Sequence, residues 1–340
     1  MTHEFDVAAD LPGVSRETVA RKLRRTELSE DHYFDAVEVS MKRDRAEGRE
    51  VLDGLLRTKP AARVGQRVLK DACARGDDQV RRDVVAAFRE TRREDALVTG
   101  AGLLTVEDAT QVFKDYFAAG GDTRPIAEWL SAIGPGYRRE KRRGNVDPTY
   151  DGWFSDAWDT IKDAGKTVAE TVKTVVDSVV EAGKSFAEVV SDVVDYAQRR
   201  VNAIVESLLD AGKTVANIVS GLAQEAYATI KKIVKAIISA GKSLRAILRE
   251  AIDVGESFLR SVARALRQAG SAVSDLVVAA GEVSVDVLRV VSRALVEMVI
   301  HAQYRADYII DTIKEELPAL AEDIIDILGD FVDEAFELAK

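Results

Sequence analysis

Between Gly183 and Met298 one 29-residue unit is written four times in tandem, starting at Gly183, Gly212, Gly241 and Gly270. Three residues after each glycine stand Phe186, Val215, Leu244 and Val273, and six after it Val189, Ile218, Ile247 and Leu276. The register persists to offset twenty-five, where Leu208, Ile237, Leu266 and Leu295 align. A period of this length marks stacked supersecondary units, because one unit cannot bury its own apolar face and needs a neighbour to cover it. The apolar offsets 3, 6, 7, 10, 14, 18, 21 and 25 have helical spacing, without period-two alternation. Each unit is therefore expected to be helical.

Two all-α architectures satisfy this pattern. In one, each unit breaks into two short helices and the units stack as an α-solenoid. In the other, the chain runs on as a continuous helix or elongated rod, since 29 residues are close to a whole number of turns. Glycines at 165, 183, 212, 241, 255, 270 and 281 would each cost about 1 kcal/mol relative to alanine inside an exposed helix, which favours turns. The apolar stripe is also too wide for a solitary rod to hide. The expected fold is an N-terminal helical bundle followed by tandem repeats stacked as an α-solenoid, with turns at Gly165, Gly183, Gly212, Gly241 and Gly270.

Those turns imitate a nucleotide site. AGKT at 164–167 and 211–214, and AGKS at 182–185 and 240–243, look like the end of a phosphate-binding loop. The earlier glycine of such a loop would fall at Thr160, Ser178, Ser207 and Ala236, and no strand pattern precedes any copy. Glycine after a helix C-terminus and Ser/Thr at the next N-cap explain the motif directly. Thr167 with Glu170, and Ser185 with Glu188, are spaced as capping boxes. No cofactor is expected. The three histidines, at 3, 32 and 301, are scattered, and Cys73 is the single cysteine, so neither a metal site nor a catalytic set is expected.

Charge and proline divide the chain. Residues 1–150 hold 27 Lys/Arg and 27 Asp/Glu, so the net charge of −10 resides in 151–340. Five of the six prolines lie in 12–148. The expected domains are a helical domain over 1–134, a junction over 135–158, the array over 159–306 and an acidic helical cap over 307–340. Residues 6–25 are similar to a helix-turn-helix DNA-binding element, with Arg16, Arg21, Lys22, Arg24 and Arg25 toward the duplex. Pro12 falls inside the first helix of that element, and the half-chain is electrically neutral, so nucleic acid is not the expected partner. In the junction, Trp153, Phe154 and Trp158 are candidates to cap the array or to sit at a membrane interface.

From Ala211 to Arg267 ten basic residues face four acidic ones, including Lys231, Lys232 and Lys235, then Arg260, Arg264 and Arg267. Offset twenty-three carries a cation in three units, at Lys235, Arg264 and Arg293. This is the candidate surface for a protein partner, for self-association or for anionic lipid. Residues 164–298 resemble bacterial proteins with tandem Ala/Leu-Gly-Lys-Ser/Thr helical repeats, a resemblance resting on the AGKS/AGKT turns and the apolar spacing after them. It implies a helical array and no particular chemistry. The expected function is a non-enzymatic interaction or assembly scaffold. The alternatives are a membrane-active, pore-forming or translocated protein and a DNA-binding regulator. With no secretory signal and no run of 18 apolar residues, a cytoplasmic location is expected, export by a dedicated machine being compatible with the same sequence.

Overall fold

The computed structural model describes residues 30–57, 62–133, 151–185, 188–189, 198–301 and 307–322. The DNA-binding candidate at 6–25, the junction up to Tyr150 and the tail from 323 onward lie outside them. All regular structure among the described residues is helical: 17 α-helices and one short 3-10 turn at Pro318–Leu320. The chain divides into two compact units, Met1–Ile133 with Lys141–Lys184, and Gly134–Glu140 with Ser185–Lys340.

The first unit contains α1 (Glu30–Arg43), α2 (Arg45–Leu56), α3 (Ala62–Arg75), α4 (Asp78–Glu90), α5 (Glu94–Gly102), α6 (Val106–Ala118), α7 (Arg124–Ile133), α8 (Asp151–Asp163) and α9 (Val168–Glu181). Residues 30–56 form two helices with a single residue, Asp44, between them. Asp44 leaves the helical region and its carboxylate accepts hydrogen bonds from the backbone N–H of Ala46 and Glu47, capping α2 one residue after α1 ends. The two helices fold back so closely that a Cβ on Gly48 would lie 2.5 Å from the Met41 nitrogen. From there, helices pack in two rows, α1 on α3, α3 on α5 and α5 on α7 in the first, and α2 on α4, α4 on α6 and α6 on α9 in the second, the last step passing over α7 and α8. The expected N-terminal bundle is thus built on the same two-row principle as a solenoid. Trp129 anchors its core, fully buried, with the indole N–H donating to Thr99 Oγ1 at 2.9 Å.

The second unit contains α10 (Gln198–Asp210), α11 (Val215–Ser220), α12 (Tyr227–Ser239), α13 (Leu244–Val254), α14 (Glu256–Gln268), α15 (Val273–Gly281), α16 (Val285–His301) and α17 (Asp307–Glu316). Helices α11, α13, α15 and α17 stack in a first row, and α10, α12, α14 and α16 in a second. The repeats beginning at Gly212, Gly241 and Gly270 each supply one helix to each row, so the apolar offsets of both meet in the middle. In the Gly241 unit, Ile247, Leu248, Ala251, Leu259, Val262 and Leu266 are all fully buried. At about 1.5–3 kcal/mol for each large apolar side chain, this burial is the main favourable term.

The glycines exclude the continuous rod. Gly165, Gly183, Gly212, Gly241 and Gly270 all have positive φ, between 70° and 105°. At Gly212 the glycine N–H donates to Leu209 O and the Lys213 N–H to Leu208 O, the paired bonds of a Schellman stop. The hydroxyl two residues later opens the next helix. Thr167 and Glu170 form a complete capping box, and Ser185 and Glu188 exchange the same two bonds. The break inside a unit is more varied: Gly255 alone, with φ 141°, separates α13 from α14, while residues 221–226 separate α11 from α12.

Candidate interaction surface

The turn lysines of the first unit act structurally. Lys166 Nζ donates to Leu104 O at 3.0 Å and to Gly102 O at 3.4 Å, closing the carbonyl end of α5. Lys184 Nζ stands 5.5 Å from the centre of the Phe117 ring near the end of α6. Of the aromatic candidates, Trp153 and Phe154 lie in α8 with side chains outside the described residues, and Trp158 is half-buried. Helix α8 packs on α5, α7 and α9 of the first unit.

The six cations named as a partner surface come together on two adjacent second-row helices. Lys231, Lys232 and Lys235 are on α12, and Arg260, Arg264 and Arg267 on α14. Two more belong with them. Arg289 and Arg293 on α16 occupy the same repeat positions, so offsets nineteen and twenty-three read Lys231/Lys235, Arg260/Arg264 and Arg289/Arg293 on three successively packed helices. Offset twenty-three was visible in the sequence. Offset nineteen was equally available there, as the position one helical turn earlier.

Much of this ridge is already neutralised. Arg264 Nη2 is hydrogen-bonded to Glu297 Oε2, and Arg260 Nη1 and Arg293 Nε lie 3.8 Å and 3.9 Å from Glu297 Oε1. Arg260 also reaches Glu256 at 3.4 Å, and Arg289 reaches Asp286 at 3.2 Å. Each pair is partly solvated and worth no more than about 1 kcal/mol, so the pairing orients side chains more than it stabilises the unit. The α12 end differs. Lys231 and Lys235 are exposed and, among the described residues, form no ion pair, whereas Lys232 is half-buried and engaged.

Charge separates the rows. The four second-row helices carry ten Lys/Arg and five Asp/Glu, and the four first-row helices three and seven. On the first-row side an open groove of about 350 Å³ is lined by Ser243, Arg245, Asp275, Glu282 and Glu316, with Arg245 and Glu282 3.7 Å apart. Among the described residues no group of His, Cys, Asp and Glu is placed to hold a metal ion, and no helix is long and apolar enough to cross a membrane.

Fold and surface together define an all-α protein whose repeats stack in two helical rows with a cationic ridge along one of them. No protein-family model matches the chain, and no curated protein is similar to it.

Proposed function

We propose that this protein is a non-enzymatic scaffold, which uses the second row of its C-terminal array to hold a partner. The observation that carries this reading is the ridge itself: like charges one turn apart, repeated at constant register on three packed helices. Like-charged side chains at i and i+4 disfavour a helix by a few tenths of a kcal/mol, so local stability does not account for placing them there three times. Stacked repeats turn such a position into an extended surface, which is how solenoids present binding faces.

The membrane-active alternative has less support. Its apolar residues, among them Ile230, Ile233, Val234 and Ile237, are buried within the array, so lipid insertion would require unpacking the rows. The scaffold reading is tested with a photo-crosslinking residue introduced at Ser261 on α14 or at Ala246 on α13, each in the full chain in its host cell. A discrete adduct is expected at Ser261, lost on Lys231→Glu with Lys235→Glu. Identical adducts from both positions, or none, would reject it, as would turnover of a small substrate that one point substitution abolishes.

A further inference from the structure

The ridge has an internal counter-charge at one rung and not at the next. Arg260 and Arg264 on α14 are bridged by Glu297, which stands at offset twenty-seven of the following repeat. The corresponding residue for Lys231 and Lys235 on α12 is offset twenty-seven of the Gly241 unit, which is Gln268. Gln268 is exposed and uncharged. In repeat register, the position that carries a carboxylate at the arginine rung carries an uncharged amide at the lysine rung.

We infer that the Lys231/Lys235 rung is the docking point for a carboxylate-rich polypeptide segment, and that Glu297 occupies the equivalent place at the arginine rung as a resident competitor. This rests on the scaffold reading and supplies the chemistry of its partner. The protein itself shows what the arginine rung accepts: a side-chain carboxylate set among cations from two packed helices. Packed helices lie about 8–10 Å apart, close to the roughly 10 Å rise of seven helical residues, so a segment with acids at that interval meets successive rungs.

Two other anionic partners fit less well. Single-stranded nucleic acid needs aromatic platforms between the cations, and Tyr227, at the start of α12, is the single exposed aromatic on the described second-row helices. An anionic membrane needs apolar side chains flanking the charges. Among the described residues the second row exposes only Tyr227 and Val285 of the large hydrophobics, each the first residue of its helix.

The experiment uses the full-length protein and three probes at low ionic strength: a fluorescein-labelled oligoglutamate, a single-stranded oligonucleotide and phosphatidylserine vesicles. Oligoglutamate should bind most tightly. Lys231→Ala with Lys235→Ala should abolish that binding, and Gln268→Glu, which places a carboxylate at the lysine rung, should weaken it by about threefold to tenfold. Glu297→Gln, which removes the carboxylate from the arginine rung, should strengthen it by a similar factor. Arg249→Ala on α13 changes the net charge by as much as Gln268→Glu but lies on the other row, and should leave binding unaltered. Equal effects of Arg249→Ala and Gln268→Glu would overturn the proposal, as would stronger binding of oligonucleotide or vesicles. Because Gln268→Glu adds a charge at an exposed site, its unchanged circular dichroism separates a filled rung from a misfolded helix. Loss of oligoglutamate binding with the Ser261 adduct retained would reject the partner chemistry and leave the scaffold standing.

Discussion

Lys166 shows how a motif that resembles a phosphate-binding lysine is used for packing. Its ammonium sits at the carbonyl end of α5, where the helix dipole favours a cation, and burial there pushes its pKa below the usual lysine range while Glu170 opposes the shift. Lys166→Met keeps the aliphatic stem and removes the donor. It should lower the stability of the first unit by about 1 kcal/mol, a figure reduced for partial solvent screening. An unchanged urea midpoint would mean that the ammonium is simply solvated. Cys73, on α3, gives a second test. Burial pushes its thiol up to about 11, helped by Asp108 and opposed by Arg81. At about pH 8 the thiolate fraction is then roughly a hundredfold below that of an ordinary thiol. Alkylation by iodoacetamide should be slow in the native protein and still accelerating near about pH 10, and a plateau near the ordinary thiol pKa would contradict the burial.

At the level of elements the deciding residue is the turn glycine. Gly212 has φ 83° and nothing within 4 Å of where a Cβ would be, so Gly212→Ala meets only backbone strain. It should destabilise by about 1–2 kcal/mol, whereas in a continuous helix the same change would stabilise by up to about 1 kcal/mol. A fall in melting temperature is expected. The sign of this effect was open in the sequence because glycine identity alone cannot distinguish a stop from a weak helical position. The decision came from bonds that a single residue does not reveal, the paired Gly212 and Lys213 donations to the end of α10. The first unit shows the opposite limit. Its helices α1, α3, α5 and α7 begin at Glu30, Ala62, Glu94 and Arg124, a period close to that of the array, yet no residue pattern recurs. Stacking needs only an apolar face and a reversal of direction. Here the reversals are made by different means, an Asp44 cap, Gly76 with φ 66° and Arg92 with φ 56°, so the geometry repeats while the letters do not.

Across the C-terminal unit the sequence carried the charge pattern but not its pairing. The cations at offset twenty-three were legible. That Glu297 would neutralise those of the preceding repeat depends on how α16 stacks on α14, which no single helix encodes. Stacking also governs how damage spreads. In a two-row array each helix is stabilised mainly by its neighbours, so the cost of a substitution depends on how many neighbours it disconnects. Ile247 on α13 and Ile313 on α17 are both fully buried first-row isoleucines. Helix α13 lies between α11 and α15, whereas α17 packs on α15 alone in its row. Replacing either by Asp buries an unpaired carboxylate, which costs several kcal/mol wherever it is placed. Ile313→Asp should remove hydrogen-exchange protection from α17 and weaken it in α15, leaving α10 to α13 protected. Ile247→Asp should abolish protection from α11 through α15, because it separates the row at its middle. If both variants lose protection uniformly across the unit, the array folds as one cooperative block and the nearest-neighbour account fails. If Ile313→Asp alone is silent, α17 contributes nothing to the row and the expected capping role of the acidic C-terminal region falls with it.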